Sequence, residues 1–138
     1  MFLLDTNIIS EFRKARPHGG VSAWLSRAPR ASLFISAVSL GEVQAGIEIT
    51  REQDPRKADQ LEAWVNQIVG DYSVLPMDAA AFRVWATLMH RRTDALTADA
   101  MIAATAIVHR LVVVTRNVRD FRAFNVETLN PYETPRAP

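Results

Sequence analysis

The stretch Phe2-Leu3-Leu4-Asp5-Thr6-Asn7-Ile8-Ile9 joins a short apolar segment to a polar turn of the kind that opens a helix. The three apolar residues before Asp5 predict a β-strand that ends at this carboxylate. In an open parallel sheet, ligands bind outside the carboxyl ends of the strands. The stretch therefore predicts that Asp5 lies at the working edge of the molecule.

The rest of the chain repeats this alternation of apolar strand and amphipathic helix. Further strands are predicted at 33–35, 72–75, 111–115 and 126–129, with 111–115 in the centre of the sheet and 126–129 at its edge. Such alternation predicts an α/β fold, in which helices cover both faces of a mainly parallel sheet of four to five strands.

The length of 138 residues predicts one domain, and no linker or internal repeat interrupts it. We expect this domain to cover residues 1–130. Residues 131–138 include three prolines and are expected to form a loose C-terminal tail.

The composition excludes several kinds of site. There is no cysteine and there are only three histidines, far apart in the chain, so a metal would be held by oxygen ligands. Of the 16 basic residues all but Lys14 and Lys57 are arginine, which suits bidentate contact with phosphate but also ordinary surface ion pairs. No apolar run approaches the roughly 20 residues of a membrane span, and no basic leader precedes the first strand. The protein is therefore expected to be cytoplasmic, without membrane attachment.

Four acidic residues occupy comparable places relative to the predicted strands. Asp5 ends the first strand, and Glu42 follows the second strand by about two helical turns. Asp99 begins the helix that leads into strand 111–115, and Asp120 follows that strand. Several ionised carboxylates in one cleft repel one another unless a cation compensates them. Oxygen ligands with room for water suit Mg²⁺ or Mn²⁺, so the four acids predict a metal site with a catalytic role.

Each acid also has a structural explanation, and taken singly that explanation is favoured. Asp5 could cap the helix that follows it. Glu42 lies three residues after Ser39 and could complete a capping box with it. Asp99 could stabilise the dipole of a helix capped by Thr97, and Asp120 could be an ordinary surface residue.

Polar residues near these acids in the sequence are candidates for supporting roles. Those that could position water or a carboxylate, with capping as an equal alternative for the first two, are Thr6, Asn7, Ser39, Thr115 and Asn117. Three arginines near Asp120 could hold a phosphate backbone beside the metal: Arg116, Arg119 and Arg122.

Four segments in order resemble PIN-domain ribonucleases of the VapC type, the toxin half of bacterial toxin–antitoxin pairs. These segments are 2–7, 35–43, 99–106 and 113–121. The resemblance implies a Mg²⁺-dependent endoribonuclease, with Mn²⁺ as a substitute, in which a metal-activated water hydrolyses RNA. It places Asp5, Glu42 and Asp99 as the acidic core that holds the metal.

The same resemblance implies partners. A VapB-type antitoxin is expected to cover the site, the chain is expected to form a homodimer, and the RNA substrate is expected to be tRNA or rRNA. Some relatives have an acid at the position of Asn117, whereas this chain has its acid at Asp120. The fourth position of the site is therefore assigned to Asn117 and Asp120 jointly. Trp24, Ile47 and Trp64 are expected to expose an apolar groove for a helix of the antitoxin.

Two other functions fit parts of the pattern. A non-catalytic binding module could retain the fold without the reaction, although an idle acidic cluster would lower its stability. An aspartate-based phosphatase would need a second aspartate where Asn7 stands and a lysine after a late strand. Neither Lys14 nor Lys57 follows a late strand, so the phosphatase is disfavoured.

Overall fold

The computed structural model describes residues 1–133, which contain a five-stranded sheet in the order β3-β2-β1-β4-β5. All four strand pairs are parallel. The strands are β1 (Phe2–Leu4), β2 (Leu33–Ser36), β3 (Ser73–Leu75), β4 (Val112–Val114) and β5 (Thr128–Leu129). The predicted α/β fold with a parallel sheet is confirmed. The predicted edge strand is β5, and β4 is an interior strand, while β1 occupies the centre.

Seven α-helices in residues 1–133 connect and flank these strands. They are α1 (Thr6–Glu11), α2 (Gly19–Arg27), α3 (Ala37–Gln53), α4 (Pro55–Asp71), α5 (Ala79–Met89), α6 (Thr97–His109) and α7 (Val118–Arg122). Short 3-10 turns at Arg30–Ser32 and Asp94–Leu96 precede β2 and α6. None of the helices in this part of the chain is long and apolar enough to cross a membrane.

Each face of the sheet has its own buried core, because successive side chains of a strand point to opposite faces. On one face Leu3 and Val113 pack with Phe121 and with the alanine-rich side of α6. On the other face Leu4 and Val114 pack with residues of α1, α2 and α4. Four alanines of α6 are buried and let the helix lie close to the sheet: Ala100, Ala103, Ala104 and Ala106. The sheet is thus the middle layer of three.

The strand register brings the ends of three strands into line. Leu4 of β1 is paired with Ile35 of β2 and with Val114 of β4. The next residues along the chain, Asp5, Ser36 and Thr115, therefore lie side by side at the carboxyl edge of the sheet. The backbone N–H of Asp5 donates to the carbonyl of Val114 at 2.9 Å, so the pairing continues to the first acid.

The structure rules out two helix caps suggested by the sequence: the capping box offered as an alternative role for Glu42, and the cap assigned to Thr97. The N-cap of α3 is Ser36, whose hydroxyl accepts from the N–H of Val38, so Ser39 and Glu42 do not form a capping box. Thr97 is the first residue of α6 and not its cap, and its hydroxyl donates to the carbonyl of Asp94 at 2.7 Å. In both places the helix begins earlier than the local capping pattern suggests.

The prediction of a loose tail from residue 131 is wrong for residues 131–133. Pro131 is buried, and Tyr132 packs against the core on the β5 side of the sheet. The ring of Tyr132 packs against apolar core residues and its hydroxyl bonds to Glu11. The prolines in this segment gave no indication of these contacts. Residues 134–138 of the predicted tail lie outside the described part of the chain.

Candidate active site

Asp5 is the centre of the site and is only 4% exposed. It is the N-cap of α1: its Oδ1 accepts from the backbone N–H of Thr6 at 2.8 Å. Its Oδ2 accepts from the hydroxyl of Thr115 at 2.7 Å and from the Nδ2 of Asn7 at 3.3 Å. One oxygen of this carboxylate therefore caps α1, while the other is held by Thr115 and Asn7.

The surroundings of Asp5 include groups that raise its pKa and groups that lower it. Burial raises its pKa, and the negative charges of Glu42 and Asp120 raise it further. The hydrogen bonds from Thr115 and from the Thr6 N–H oppose this rise in the pKa. They do so because they favour the ionised form.

Thr115 and Asn117 connect the end of β4 to this carboxylate. Thr115 is fully buried, and while its hydroxyl donates to Asp5 it accepts from the backbone N–H of Asn117 at 2.9 Å. The side chain of Asn117 does not cap α7, although Asn117 is the residue before that helix. Thr115 thus holds a fixed hydrogen-bonding position between the turn and Asp5.

Glu42 lies on the exposed surface of α3 and faces α1. Its Oε1 accepts from the hydroxyl of Thr6 at 2.8 Å, and the same hydroxyl lies 2.9 Å from the Oγ of buried Ser39. A threonine hydroxyl has one hydrogen, so while it donates to Glu42 it can accept the hydrogen of Ser39. Thr6 and Ser39 therefore form a relay that orients the Glu42 carboxylate.

Asp99 lies in the first turn of α6 and is half-buried. Its pKa is raised from an ordinary value of 3.8 to about 6, first by burial and then by the charges of Asp5, Asp120 and Glu42. Asp120 is exposed on α7, but its charge acts on both Asp5 and Asp99. The structure therefore brings the four acids into one electrostatic group, from four separate segments of the chain.

The donors of this group are the kind that hard divalent cations prefer, since all are oxygen atoms. As their side chains stand, no three Asp, Glu or His residues within 1–133 form a group that could hold a metal ion. Mg²⁺ is commonly bound by one or two carboxylates, with water and substrate phosphate completing its shell. The acids fit such an open site, and they do not form a closed protein cage.

The three arginines named as phosphate ligands are exposed on the β4–α7 connection and on α7. In residues 1–133 none of them forms an ion pair with a carboxylate. Arg116 is the one tied to the site: its backbone N–H makes a long 3.5 Å hydrogen bond to the Oδ1 of Asn7. No described contact links Arg119 or Arg122 to the four acids.

Sequence reasoning missed Glu11 and Tyr132. Glu11 is 4% exposed and accepts from the Lys14 ammonium, the His18 N–H and the Tyr132 hydroxyl. The spacing of Glu11 and Lys14 by three residues signals a helical pair. No local pattern indicates that Tyr132 would reach Glu11 from 121 residues away.

A groove of about 320 Å³ runs from Glu42 between α1, α3 and α4. Its lining includes Thr6, Arg13, Ile47 and Trp64, so two of the three residues predicted to form an apolar groove lie along it. Trp24 does not: it packs edge-on against Phe2 at 5.0 Å and lines a separate cavity of about 210 Å³ next to β5.

The fold and the site together define an α/β protein with an acidic centre at the carboxyl ends of its parallel strands. The PIN domain family matches residues 2–126, and this chain belongs to that family. The resemblance identified from the four segments is confirmed.

The relatives are similar over nearly the whole chain. VapC ribonuclease Y4jK of Sinorhizobium fredii is 36% identical over an alignment of 139 residues that covers 96% of this chain and 99% of that protein. Toxin FitB of Neisseria gonorrhoeae is 30% identical over 138 residues, with the same coverage of 96% and 99%. The crystal structure of FitAcB from Neisseria gonorrhoeae has a TM-score of 0.85 and 32% identity, covering 97% of this chain and all of that one. Of these relatives, Y4jK is named as a ribonuclease and FitB as a toxin.

Proposed function

We propose that this protein is a Mg²⁺-dependent endoribonuclease and the toxin of a toxin–antitoxin pair. The observation that supports it most directly is the convergence of Asp5, Glu42, Asp99 and Asp120 at one edge of the sheet. There burial, and then the charges of the other three acids, raise the pKa of Asp99 to about 6. Such mutual repulsion is costly in a cleft without a compensating cation. The similarity to proteins named as a VapC ribonuclease and as a toxin supports the same proposal.

Asp5, Asp99 and Glu42 would hold the metal, with Mn²⁺ able to replace Mg²⁺, and Asp120 and Asn117 would complete the site. A bound divalent cation lowers the pKa of a coordinated water and offsets charge that develops on a phosphoryl group. Thr115 and the Thr6 N–H would keep Asp5 ionised, because they donate to its charged form. Thr6 would keep the Glu42 carboxylate turned towards the site.

The RNA backbone would lie across the β4–α7 side of this edge. Arg116, Arg119 and Arg122 are exposed there and can donate to phosphate oxygens. Single-stranded or looped segments of tRNA or rRNA are the expected substrates, since sequence-specific RNA recognition mostly uses unpaired nucleotides. The phosphodiester bond that is hydrolysed would then be the one whose phosphate lies next to Asp5 and Asp99.

A VapB-type antitoxin would bind the groove between α1, α3 and α4, which starts at Glu42 and contains the indole of Trp64. A partner helix there could place a basic residue beside Glu42 and compete with the metal. Adding purified antitoxin should therefore weaken Mn²⁺ binding in calorimetry, and an unchanged affinity would contradict this blocking role. The chain is proposed to act as a homodimer.

The deciding experiment is cleavage of a pool of tRNA, rRNA and synthetic single strands by the purified protein with Mg²⁺, Mn²⁺ or chelator. We expect cutting that requires the metal and that is absent from Asp99→Asn. Asp94→Asn is a matched control, because it removes the same kind of charge five residues away and should cut normally. Equal cutting by the wild type and Asp99→Asn would identify a contaminant. A protein that neither cuts nor binds metal would be the non-catalytic module.

A further inference from the structure

The chain after β5 returns to the side of the active site. Pro131 is buried there, and its carbonyl lies so close to Gly20 of α2 that a Cβ at that glycine would collide with it. The absence of a side chain at Gly20 thus allows the segment 130–133 to lie directly on the start of α2. Asn130 stabilises this turn, since its Oδ1 accepts from the N–H of Tyr132 at 3.0 Å.

Tyr132 is anchored in this segment by a buried charge. Its hydroxyl lies 3.1 Å from the Oε1 of Glu11 and 3.4 Å from the carbonyl of Asn7. The hydroxyl has one hydrogen, and the bond to the carboxylate is the shorter and charge-assisted one. Burial, and then the hydrogen bond to Glu11, raise the pKa of Tyr132 to about 12, so the phenol remains a donor at neutral pH.

The ring of Tyr132 contacts both His18 and Arg116. The His18 ring centroid is 4.8 Å away, and the Arg116 guanidinium carbon is 4.9 Å from the centre of the tyrosine ring. Arg116 follows Thr115, the residue that donates to Asp5. The aromatic contact therefore holds the Arg116 guanidinium beside Tyr132, whose pKa is also raised by the charge of Asp5.

We propose that Tyr132 is a positioning residue for RNA, which holds the Arg116 guanidinium where it can receive a backbone phosphate next to the acidic centre. The inference rests on the proposed function in requiring RNA as the ligand. A guanidinium stacked by its face keeps its N–H donors free at its edge, and these are the groups that bind phosphate bidentately. Holding the side chain before RNA binds also reduces the entropy lost on binding.

The test compares Tyr132→Leu, Tyr132→Phe and Arg116→Gln in the full chain. Binding is measured by anisotropy of a fluorescein-labelled single-stranded RNA of about 20 nucleotides, in an Asp99→Asn background that prevents cleavage. Tyr132→Leu should weaken binding about 2- to 5-fold, the factor that corresponds to an exposed cation–π contact. It should also lower the slope of log Kd against log salt by about 0.7, equivalent to one phosphate contact. Arg116→Gln should do the same, and the double variant should be no weaker than Arg116→Gln alone.

Two further readouts separate positioning from a general structural effect. Tyr132→Phe keeps the ring and should retain most of the RNA affinity. In the cleavage assay with otherwise wild-type protein, Tyr132→Leu should raise KM while kcat stays within about a factor of two. A fall in kcat with KM unchanged would contradict a role in RNA positioning.

Tyr72→Leu is the matched control. Tyr72 also has an arginine over its ring, with Arg30 at 4.5 Å, but it precedes β3 and so lies at the opposite edge of the sheet from Asp5. Its loss should leave RNA affinity unchanged. Additive effects of Tyr132→Leu and Arg116→Gln, or an unchanged affinity in Tyr132→Leu, would overturn the proposal, as would absence of RNA binding by every variant.

If Tyr132→Leu does not fold, Arg116→Lys tests the proposal in its place. It keeps the charge but loses the guanidinium whose carbon lies over the tyrosine ring, so RNA affinity should fall as it does in Arg116→Gln. Full affinity in Arg116→Lys would overturn the proposal. Coupling between Tyr132 and Arg116 in a protein that does not cleave RNA would support this inference while rejecting the proposed nuclease. Cleavage without that coupling would do the reverse.

Discussion

Thr115 and Asp5 are 110 positions apart in the chain, yet their side chains form a buried 2.7 Å hydrogen bond at the ends of neighbouring strands. The Thr115 hydroxyl is used twice, since it also accepts from the Asn117 N–H. Removing it would leave both a buried carboxylate oxygen and a backbone donor without this partner. The energetic effect should therefore exceed that of an ordinary surface hydrogen bond.

We expect Thr115→Val to lower the free energy of unfolding by about 1–3 kcal/mol, the usual range for an unsatisfied buried polar group. RNA cleavage at neutral pH should also fall, because the pKa of Asp5 would rise without its strongest hydrogen-bond donor. Urea unfolding and the metal-dependent cleavage assay measure the two effects. Thr115→Ser keeps the hydroxyl and should recover most of both properties. A valine variant with normal stability and activity would show that the hydrogen bond is dispensable.

Asp99 makes a pH prediction with a definite sign. Its pKa is about 6 in the folded protein and near 3.8 when unfolded, so the folded state binds the proton more tightly. The contribution of Asp99 to the free energy of unfolding is therefore most favourable below about pH 3.8. It is lost as the pH rises through about 6 and the carboxyl ionises in the folded protein. Without metal, Asp99→Asn should therefore be more stable than the wild type by about 1 kcal/mol above pH 6, after allowance for solvent screening.

That difference between Asp99→Asn and the wild type should shrink towards zero as the pH falls to about 4, because the wild-type carboxyl is then protonated. Thermal unfolding of both proteins in chelator across pH 4–8 measures it. The matched Asp94→Asn protein should show no such change. A wild type that is the more stable of the two at pH 7 without metal would contradict the raised pKa.

At the scale of single residues, the sequence identifies Asp5 because it directly follows an apolar strand, and Thr115 because it is the polar end of another. Parallel register then brings the two positions together. The sequence does not identify the pairing of Glu11 with Tyr132. The segment that contains Tyr132 is positioned by contacts with α2 and not by a strand. Proline content indicated a loose segment there, whereas burial of Pro131 and the aromatic ring decides its position.

The start of α3 shows how one local pattern fits two helix starts. Ser36 and Ser39 both precede possible helical positions, and Ser39 is followed by Glu42 at the spacing of a capping box. The strand β2 ends at Ser36, so the helix begins immediately after it and Ser39 becomes an interior, buried residue. Glu42 is then free of a capping role, and its carboxylate faces Thr6 at the start of α1. The position at which β2 ends therefore decides between the two helix starts, and the capping-box motif carries no information about that position.

This arrangement predicts that stability and activity separate along α3. Ser36→Ala should lower the free energy of unfolding by about 1 kcal/mol through loss of the N-cap. Glu42→Gln should leave stability within about 0.5 kcal/mol, as for exposed surface substitutions, while RNA cleavage falls sharply. Chemical denaturation and cleavage assays of both variants test this. Marked destabilisation by Glu42→Gln would restore the capping explanation and weaken its place in the site.

Across the whole molecule, the two buried cores fix the sheet from both faces, so the carboxyl edge is a rigid platform for the acids. The four acids come from four segments that the sheet order 3-2-1-4-5 brings to one edge. Sequence alone could predict this convergence, because it follows from parallel topology. It could not predict that Glu42 would be held by Thr6 and Ser39, since that depends on the packing of α1 against α3.

Metal binding should therefore appear as stability of the whole fold. A ligand that binds only the folded state stabilises it by RT ln(1 + [L]/Kd), which is about 2.7 kcal/mol at a hundredfold excess over Kd. Mg²⁺ or Mn²⁺ should raise the Tm of the wild type at pH 7.5 in a saturable way. Asp5→Asn and Asp99→Asn should lose most of this increase, whereas Asp94→Asn should keep it. If the increase were equal in all four proteins, or absent from the wild type, the acids would not form the metal site proposed here. Saturation in the wild type together with its loss in both site variants would place the cation at the carboxyl edge of the sheet, independently of any RNA.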